Sequence, residues 1–491
     1  MSQLLTWQGL LALILGGMYG AVFGAIPGLT ATLAVALFIP FAFFLEPGVA
    51  LPAIIAIASV AIYAGDVGAA IAKVPGTPAS AAYVNELYRL TRKKSPLYGL
   101  GISAMGSSVG GIIGTILLIL TAGIVAGIAK QFSSFEYFWL AVLGLSAGVF
   151  ASQKSPLKGL VSLLIGLFFA TVGIDPTLGH ARFHFGIPDL LGGLNYIVAM
   201  IGLFGFSEVL EFLYRKKEET KAPDQSIQKM WHAFFLDPLK LIGRKWILVI
   251  RSSLMGMVVG FLPGAGADIG AWVASSIQKM RRRSSRTMSA DTEEEVVLAG
   301  SSSNNAAVAS AWIPALALGL PGDTITAMVL GVFLMKGITP GPLLFDQMPE
   351  LPTTLFLTFF IANLILLPFW GYVTARMANR IIKIPLPILL SIISAICVAG
   401  AFAINRNPND VLIMVGMGGF AFLLRRGGFP LAQVVLGMVL GPILEQQFMV
   451  SVIKSSWDWM SFFDRPVALV LMVLTLILIG VGIRFSFHNN K

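Results

Sequence analysis

The sequence predicts an all-α polytopic membrane protein of about 10–12 transmembrane helices, with re-entrant or broken helices set in two inverted repeats. Three observations carry that expectation: a composition poor in charge, apolar runs that follow one another almost without pause, and paired proline-glycine motifs that recur in both halves. Of 491 residues, 56% are hydrophobic and 12% charged. Soluble domains carry roughly 25% charged residues, so a chain of this length lacks the polar surface to cover a water-facing globule. A span needs about 20 mostly apolar residues. Such runs succeed each other from Leu10–Phe23 to Leu469–Ile483. Barrel strands alternate polar and apolar, and these runs do not, so the spans read as helices.

The formal net charge is +10. The basic residues sit in short clusters between apolar runs, with no aromatic residues interleaved. They read as topology signals under the positive-inside rule, and a nucleic-acid role is excluded. Cys397, the one cysteine, lies inside an apolar run and reads as a small core residue. The four histidines, His180, His184, His232 and His488, form no metal-ligand pattern. No phosphate-binding GxxxxGK[ST] motif is present. The first apolar run has no Lys or Arg before it, so it reads as a retained helix rather than a cleaved leader.

A polar stretch from Arg215 to Lys245 divides the chain near its middle, with a short interfacial helix expected around Trp231–Leu236. The expected organisation is a first membrane repeat over 1–214, a linker over 215–245, a second repeat over 246–443 and a C-terminal segment over 444–491 with the final span. The halves share two motifs. Pro27-Gly28 and Pro263-Gly264 lie 236 residues apart, and Pro75-Gly76 and Pro321-Gly322 lie 246 apart. The ten extra residues match a polar insertion around Arg281–Glu295. A lone Pro-Gly is a common turn, whereas two pairs in order point to duplication.

The charges suggest how the copies are oriented. The segment after the first loop ends without basic residues at Glu46-Pro47, but its counterpart carries Arg281, Arg282, Arg283 and Arg286. After the second loop the bias reverses: Arg89, Arg92, Lys93 and Lys94 against Lys336 alone. If basic loops share one side, corresponding loops lie on opposite sides, the pattern of an inverted repeat.

Broken helices at matching positions in two halves point to a transport site. Proline suits a first helical turn, glycine permits unusual backbone, and the free amides of a helix start favour an anion. The substrate-binding candidates are therefore Gly28, Thr30, Thr32, Gly76, Thr77, Ser80, Gly264, Gly266 and Gly322. Asn304 and Asn305, in Ser301–Asn305 at the opening of the apolar run Ala306–Leu320, offer donors and acceptors; a helix cap at the membrane surface is the rival reading. Ionisable residues in apolar surroundings are expensive and are candidates by default. Asp323, Asp66 and Asp268 are the candidates for a coupling cation, Na⁺ or H⁺, and Lys73 for an anionic substrate or for Asp66, although seven residues put the latter pair out of direct reach on one helix. Asp175 and Arg182 read as a loop salt bridge. Glu208 and Glu211, near a span end, read as snorkelling side chains. Gly110-Gly111 and Gly192-Gly193 read as sites of close helix packing. No cofactor is expected. An intramembrane enzyme would need a nucleophile with a base or a metal cluster, and none is legible. An anion channel would conduct without ion coupling.

Several stretches together resemble the large membrane subunit of the tripartite tricarboxylate transporters. They are Gly24–Thr32, Val74–Ala82, Val172–Pro176, Arg182–Gly186, Gly260–Gly266, Asn304-Asn305, Leu318–Gly322, Pro340–Pro342, Leu436–Glu445 and Phe463–Pro466. They run in order over nearly the whole chain. The resemblance implies a multi-pass protein of the bacterial inner membrane that imports a small organic carboxylate, driven by an ion gradient. It implies two partners, a small membrane subunit and a periplasmic binding protein; a homo-oligomer stays open. Against the family pattern, Lys73 stands where Asn is usual, Asp66 where Gly is, Asp268 for a small or hydroxyl residue, Ser301 for an acidic one and Glu86 for Asp. These departures bear on the substrate and the coupling ion.

Overall fold

A computed structural model describes residue 4 and residues 6–26, 28–151, 155–175, 177–214, 231–264, 266–284, 291–381 and 384–489. Pro27, Pro176, the charged run Arg215–Glu219 and Arg286 lie outside the described residues. Within them the chain is helical almost throughout. Seven helices are long and apolar enough to cross a membrane: Trp7–Ala25, Pro47–Ala72, Pro96–Ala129, Tyr196–Tyr214, Glu350–Ile381, Pro387–Asn405 and Leu431–Lys454. Shorter apolar helices of 10–17 residues stand between them, including Ala31–Phe44, Trp246–Phe261 and Thr324–Met335. The helical expectation is met. A two-stranded antiparallel hairpin, Gly173–Ile174 with Ala181–Arg182, caps one loop.

The apolar residues sort by depth. Helix Pro47–Ala72 is buried along its whole span. Helices Trp7–Ala25 and Pro96–Ala129 turn outward a row of Leu10, Ile14, Met18, Ile116, Leu120 and Ile124, the composition that faces lipid tails without cost. Where helices meet, small residues let the backbones close up, since packing rather than water exclusion drives association in lipid. A Cβ on Gly20 would stand 2.4 Å from the Ile57 carbonyl oxygen, and one on Gly24 2.4 Å from that of Ala61. In the second half a Cβ on Gly256 would stand 2.0 Å from the Ser303 carbonyl oxygen, and one on Gly260 2.2 Å from that of Ala307. Each glycine recurs 236 residues later and each partner 246 later, the offsets of the Pro-Gly loops. Gly110 makes the approach foreseen for it, its Cβ position 2.1 Å from the Ser302 carbonyl oxygen. Gly192 and Gly193 do not: they end a short 3₁₀ turn, Pro188–Gly192, in a loop, where Gly193 takes φ +80°.

Several sequence readings need correction. Ser301–Asn305 do not cap a helix, because helix Asp291–Leu318 begins ten residues before Ser301 and carries them in its buried interior. Arg182 does not reach for Asp175; it forks onto Glu445, with Nη2 3.0 Å from Oε2. The Thr177 amide instead donates to Asp175 at 2.8 Å and holds that carboxyl below the usual carboxylate range. Glu208 does not snorkel, since Arg425 pairs with it. The expected interfacial piece forms two short helices, Trp231–Phe234 and Leu236–Arg244. Cys397 is buried, as its apolar run implied.

Two sets of polar contacts tie loop ends together. At one end Lys93 meets Glu293 at 2.8 Å, Lys94 meets Glu294, and Lys245 meets Glu295 at 2.9 Å. At another, Lys336 donates to the Phe43 carbonyl at 2.5 Å. Thr91, two residues before Lys93, donates to the Ala70 carbonyl at 2.8 Å, so the Lys93 end lies by the C-terminus of helix Pro47–Ala72. Phe43 precedes that helix's N-terminus. A helix of 26 residues is about 39 Å long, so the two ends stand a membrane thickness apart.

Candidate functional site

The second loop of each half is built by the same hydrogen bonds. Val74 donates its amide to Gly68 at 3.2 Å, and Leu320 donates to Pro314 at 3.2 Å. Gly76 presses on the preceding helix, its Cβ position 2.7 Å from the Gly65 carbonyl oxygen, and Gly322 does so on Ala311, also at 2.7 Å. Only glycine admits so close an approach of backbone to backbone. Thr77 and Ser80 then cap each other, each amide donating to the other's hydroxyl at 3.1 Å. Asp323 and Thr326 repeat the box: the Asp323 amide donates to Oγ1 at 2.8 Å, and the Thr326 amide to Oδ1 at 2.7 Å. All of these partners sit 246 residues apart.

The first loops also correspond. Gly28 and Gly264 take left-handed backbone, φ +93° and +76°. Thr30 caps helix Ala31–Phe44 by accepting the Leu33 amide at 3.1 Å. The third loop leans on the fourth, with Gly264 donating to Pro321 and Gly266 to Gly322, both at 3.2 Å. Contacts cross between halves as well. Thr32 and Thr324 bring their hydroxyls to 3.5 Å, and Asp268 accepts the Ala79 amide at 3.1 Å.

These loops open onto one cavity of about 680 Å³. Thr30, Thr32, Thr77, Gly264, Gly266, Asp268 and Asp323 line it. Helices Ala31–Phe44, Ala267–Ser284 and Thr324–Met335 each begin at its lining, so three positive dipole ends, with the first-turn amides their caps leave open, lie beside it. Gly28, Gly76, Ser80 and Gly322 shape the loops from behind. Gly28 backs on Phe212, and Gly76, Ser80 and Gly322 are buried.

The other sequence candidates are elsewhere. Asp66 is buried against the Tyr83 hydroxyl, at 2.9 and 3.1 Å to its two oxygens, and against the Ser103 hydroxyl. Asn305 Nδ2 donates to the Ser107 carbonyl at 3.2 Å and to Asn363 Oδ1 at 2.8 Å, tying helix Asp291–Leu318 to helices Pro96–Ala129 and Glu350–Ile381. Asn304 is buried beside it with Oδ1 unpartnered. Lys73 is exposed at the end of helix Pro47–Ala72, away from the cavity lining. No group of three or more His, Cys, Asp or Glu that could hold a metal ion occurs among the described residues.

The cavity also takes residues the sequence reading passed over. Arg425 supplies a cation, and Gln433 lines the wall with Nε2 donating to the Gly148 carbonyl at 2.8 Å and Oε1 unpartnered. Trp272 donates its indole N–H to the Pro78 carbonyl at 3.0 Å. Arg425 looked like a topology signal beside Arg426. Its distinguishing context was the turn Gly427-Gly428-Phe429-Pro430, a further helix break at the entry to helix Leu431–Lys454.

A cavity built from four recurrent helix breaks in a multi-pass protein is the setting in which comparison with known proteins decides the family. The chain matches the profile of the Tripartite tricarboxylate transporter TctA family over residues 10–436. It belongs to the TctA family. A relative from Agrobacterium vitis, the "Uncharacterized 52.8 kDa protein in TAR-I ttuC' 3'region", is 30% identical over 480 residues, covering 97% of this chain and 93% of that protein. A second from the same organism, the "Uncharacterized protein in TAR-II ttuC' 3'region", is 32% identical over 240 residues, 48% of this chain and 97% of that protein. No solved structure matches. The TctA family supplies the large subunit of tripartite transporters, which work with a small membrane subunit and a periplasmic binding protein. The chain is thus a multi-pass transporter subunit and not an enzyme.

Proposed function

We propose that this TctA-family chain is the permease of an ion-gradient-driven importer for a small organic carboxylate at the bacterial inner membrane. The small membrane subunit accompanies it, and the periplasmic binding protein delivers the substrate. The carrying observation is that the Pro-Gly loops of both halves open onto one cavity, with three helix N-termini beside it. Non-helical backbone at membrane depth survives where it lines a cavity or is buried in protein. Here it leaves amides and the hydroxyls of Thr30, Thr32 and Thr77 available to a carboxylate. Asp268 and Asp323 face the same space and take the coupling cation, Na⁺ or H⁺, whose charge offsets that of the substrate. Asp66, enclosed by Tyr83 and Ser103, acts outside the cavity.

The two halves form an inverted repeat in this reading. The contacts Lys93–Glu293 and Lys336–Phe43 support it, because they put corresponding loop ends of the two halves at opposite ends of helix Pro47–Ala72. By the positive-inside rule the end bearing Arg89, Arg92, Lys93 and Lys94 is cytoplasmic. A unit carrying the loops moves against the remaining helices in elevator-like alternating access. Uptake of labelled succinate or citrate into proteoliposomes holding all three subunits tests the reading. Thr77→Ala, Asp268→Asn and Asp323→Asn should each cut uptake, the two Asp changes also altering its dependence on Na⁺ or pH. Uptake unaffected by all three, or downhill flux indifferent to any ion gradient, would leave a channel as the better description.

A further inference from the structure

Arg425 lies in the last turn of helix Pro408–Arg426 and is the one basic residue lining the cavity among the described residues. It also borders a second, polar pocket with Glu211 and Arg426, so it lines both spaces. Its neighbour Arg426 is committed elsewhere, stacked with its guanidinium carbon 3.4 Å from the centre of the Tyr214 ring. Arg425 Nη1 donates to Glu208 Oε2, a carboxylate on helix Ser207–Tyr214. The pair is partly shielded, with side chains 30% and 12% exposed. A guanidinium presents its N–H donors in a planar fork that a carboxylate takes two at a time, and Glu208 already holds Nη1 of that fork.

We propose that Arg425 is the substrate-carboxylate contact of the cavity and that Glu208 is its internal competitor, holding the guanidinium when substrate is absent and yielding it when substrate enters. The inference rests on the carboxylate reading above and adds a binding residue to it. Its physical content is a competition. A carboxylate substrate reaching Arg425 displaces another carboxylate rather than water, so binding is weaker than the bare cation would give, and release is easier. A cavity that already carries Asp268 and Asp323 otherwise repels an anion, and Arg425 is the full positive charge on its lining that opposes them.

The competition makes a prediction that a structural salt bridge does not. The full-length chain, purified in detergent, is titrated with succinate and with citrate by calorimetry and by the rise in melting temperature. Glu208→Gln should tighten binding about twofold to fivefold, the span expected when a partly exposed ion partner is withdrawn. Arg425→Gln should weaken it by about tenfold or more, and Arg425→Lys by less, since a charge remains but the fork is lost. The double variant Glu208→Gln with Arg425→Gln should bind as weakly as Arg425→Gln alone, because the competitor matters only through the arginine. If Glu208→Gln weakened binding in step with Arg425→Gln, the pair would be a structural clamp and the inference overturned. The same conclusion follows if Arg425→Gln folds, melts normally and binds as the parent does. Should the parent chain bind neither acid, the carboxylate reading falls and takes this inference with it, an outcome distinct from binding that ignores Arg425.

Discussion

Lys73 and Gly319 hold the same place in the two halves, 246 residues apart, and both adopt left-handed backbone, φ +59° and +69°. Each closes a buried helix just before a Pro-Gly loop. Gly319 does this without strain, whereas a residue with a Cβ bears a steric cost. The lysine side chain is exposed and lines no part of the cavity. Lys73→Gly should therefore stabilise the detergent-solubilised protein by about 0.5–1 kcal/mol, part of the relief being offset by the looser unfolded chain. Uptake should not change. A large loss of uptake with normal melting would restore Lys73 as a substrate contact.

The glycine seams yield a second test, because they differ sharply from glycines on the lipid face. Any Cβ at Gly256 meets the Ser303 carbonyl at 2.0 Å, so helix Trp246–Phe261 must move away from helix Asp291–Leu318. Gly256→Ala should cost about 1–3 kcal/mol, the range for overpacking a tight interface. At Gly123 a Cβ meets nothing within 4 Å, and Gly123→Ala should melt within error of the parent or slightly higher. Thermal unfolding followed by size-exclusion chromatography would separate the two. Equal behaviour would mean the seam is looser than drawn.

How far the sequence could be read follows from what each feature depends on. The helices were legible because continuous apolar runs in lipid admit few alternatives. The loops were legible because Pro-Gly recurs at offsets that the backbone contacts then repeat, as Gly20 on Ile57 and Gly256 on Ser303 demonstrate. The rival cap reading of Ser301–Asn305 arose because a polar run before an apolar one resembles a helix start, and only tertiary packing reveals that Glu293, Glu294 and Glu295 already begin the helix and meet basic partners. Arg425 escaped notice because it stands beside Arg426 like a topology signal; the local hint was the break Gly427–Pro430 that follows it, and its pairing with Glu208, 217 residues away, is visible only in the fold.

Asp323 carries two roles that substitution can pull apart. Its side chain accepts the Thr326 amide at 2.7 Å as a helix cap, and it faces the cavity as a charge. Asparagine caps nearly as well as aspartate, while alanine does not cap and costs about 1 kcal/mol. Asp323→Asn should keep the melting temperature within about 2 °C and cut ion-driven uptake at least tenfold. Asp323→Ala should lose both stability and uptake. If Asp323→Asn transported normally, the charge would be dispensable and Asp323 a cap alone, leaving Asp268 as the cavity carboxylate to examine for coupling.

The inverted arrangement makes a prediction about sidedness that needs no substrate. Cys397 is buried, so it should resist labelling, and Cys397→Ala gives a background free of cysteine. Glu46 lies just after helix Ala31–Phe44, and Arg281 near the end of helix Ala267–Ser284, its counterpart in the other half; both are exposed. A membrane-impermeant maleimide applied from one face should label Glu46→Cys or Arg281→Cys but not both. Lys93→Cys should follow Arg281→Cys, because Lys93 pairs with Glu293 at the start of the helix that comes next after Arg281. Labelling of Glu46→Cys and Arg281→Cys from the same face would make the repeats parallel. The helix starts of the first and third loops would then enter the cavity from one side, and a two-faced carrier could not be built from them by inversion.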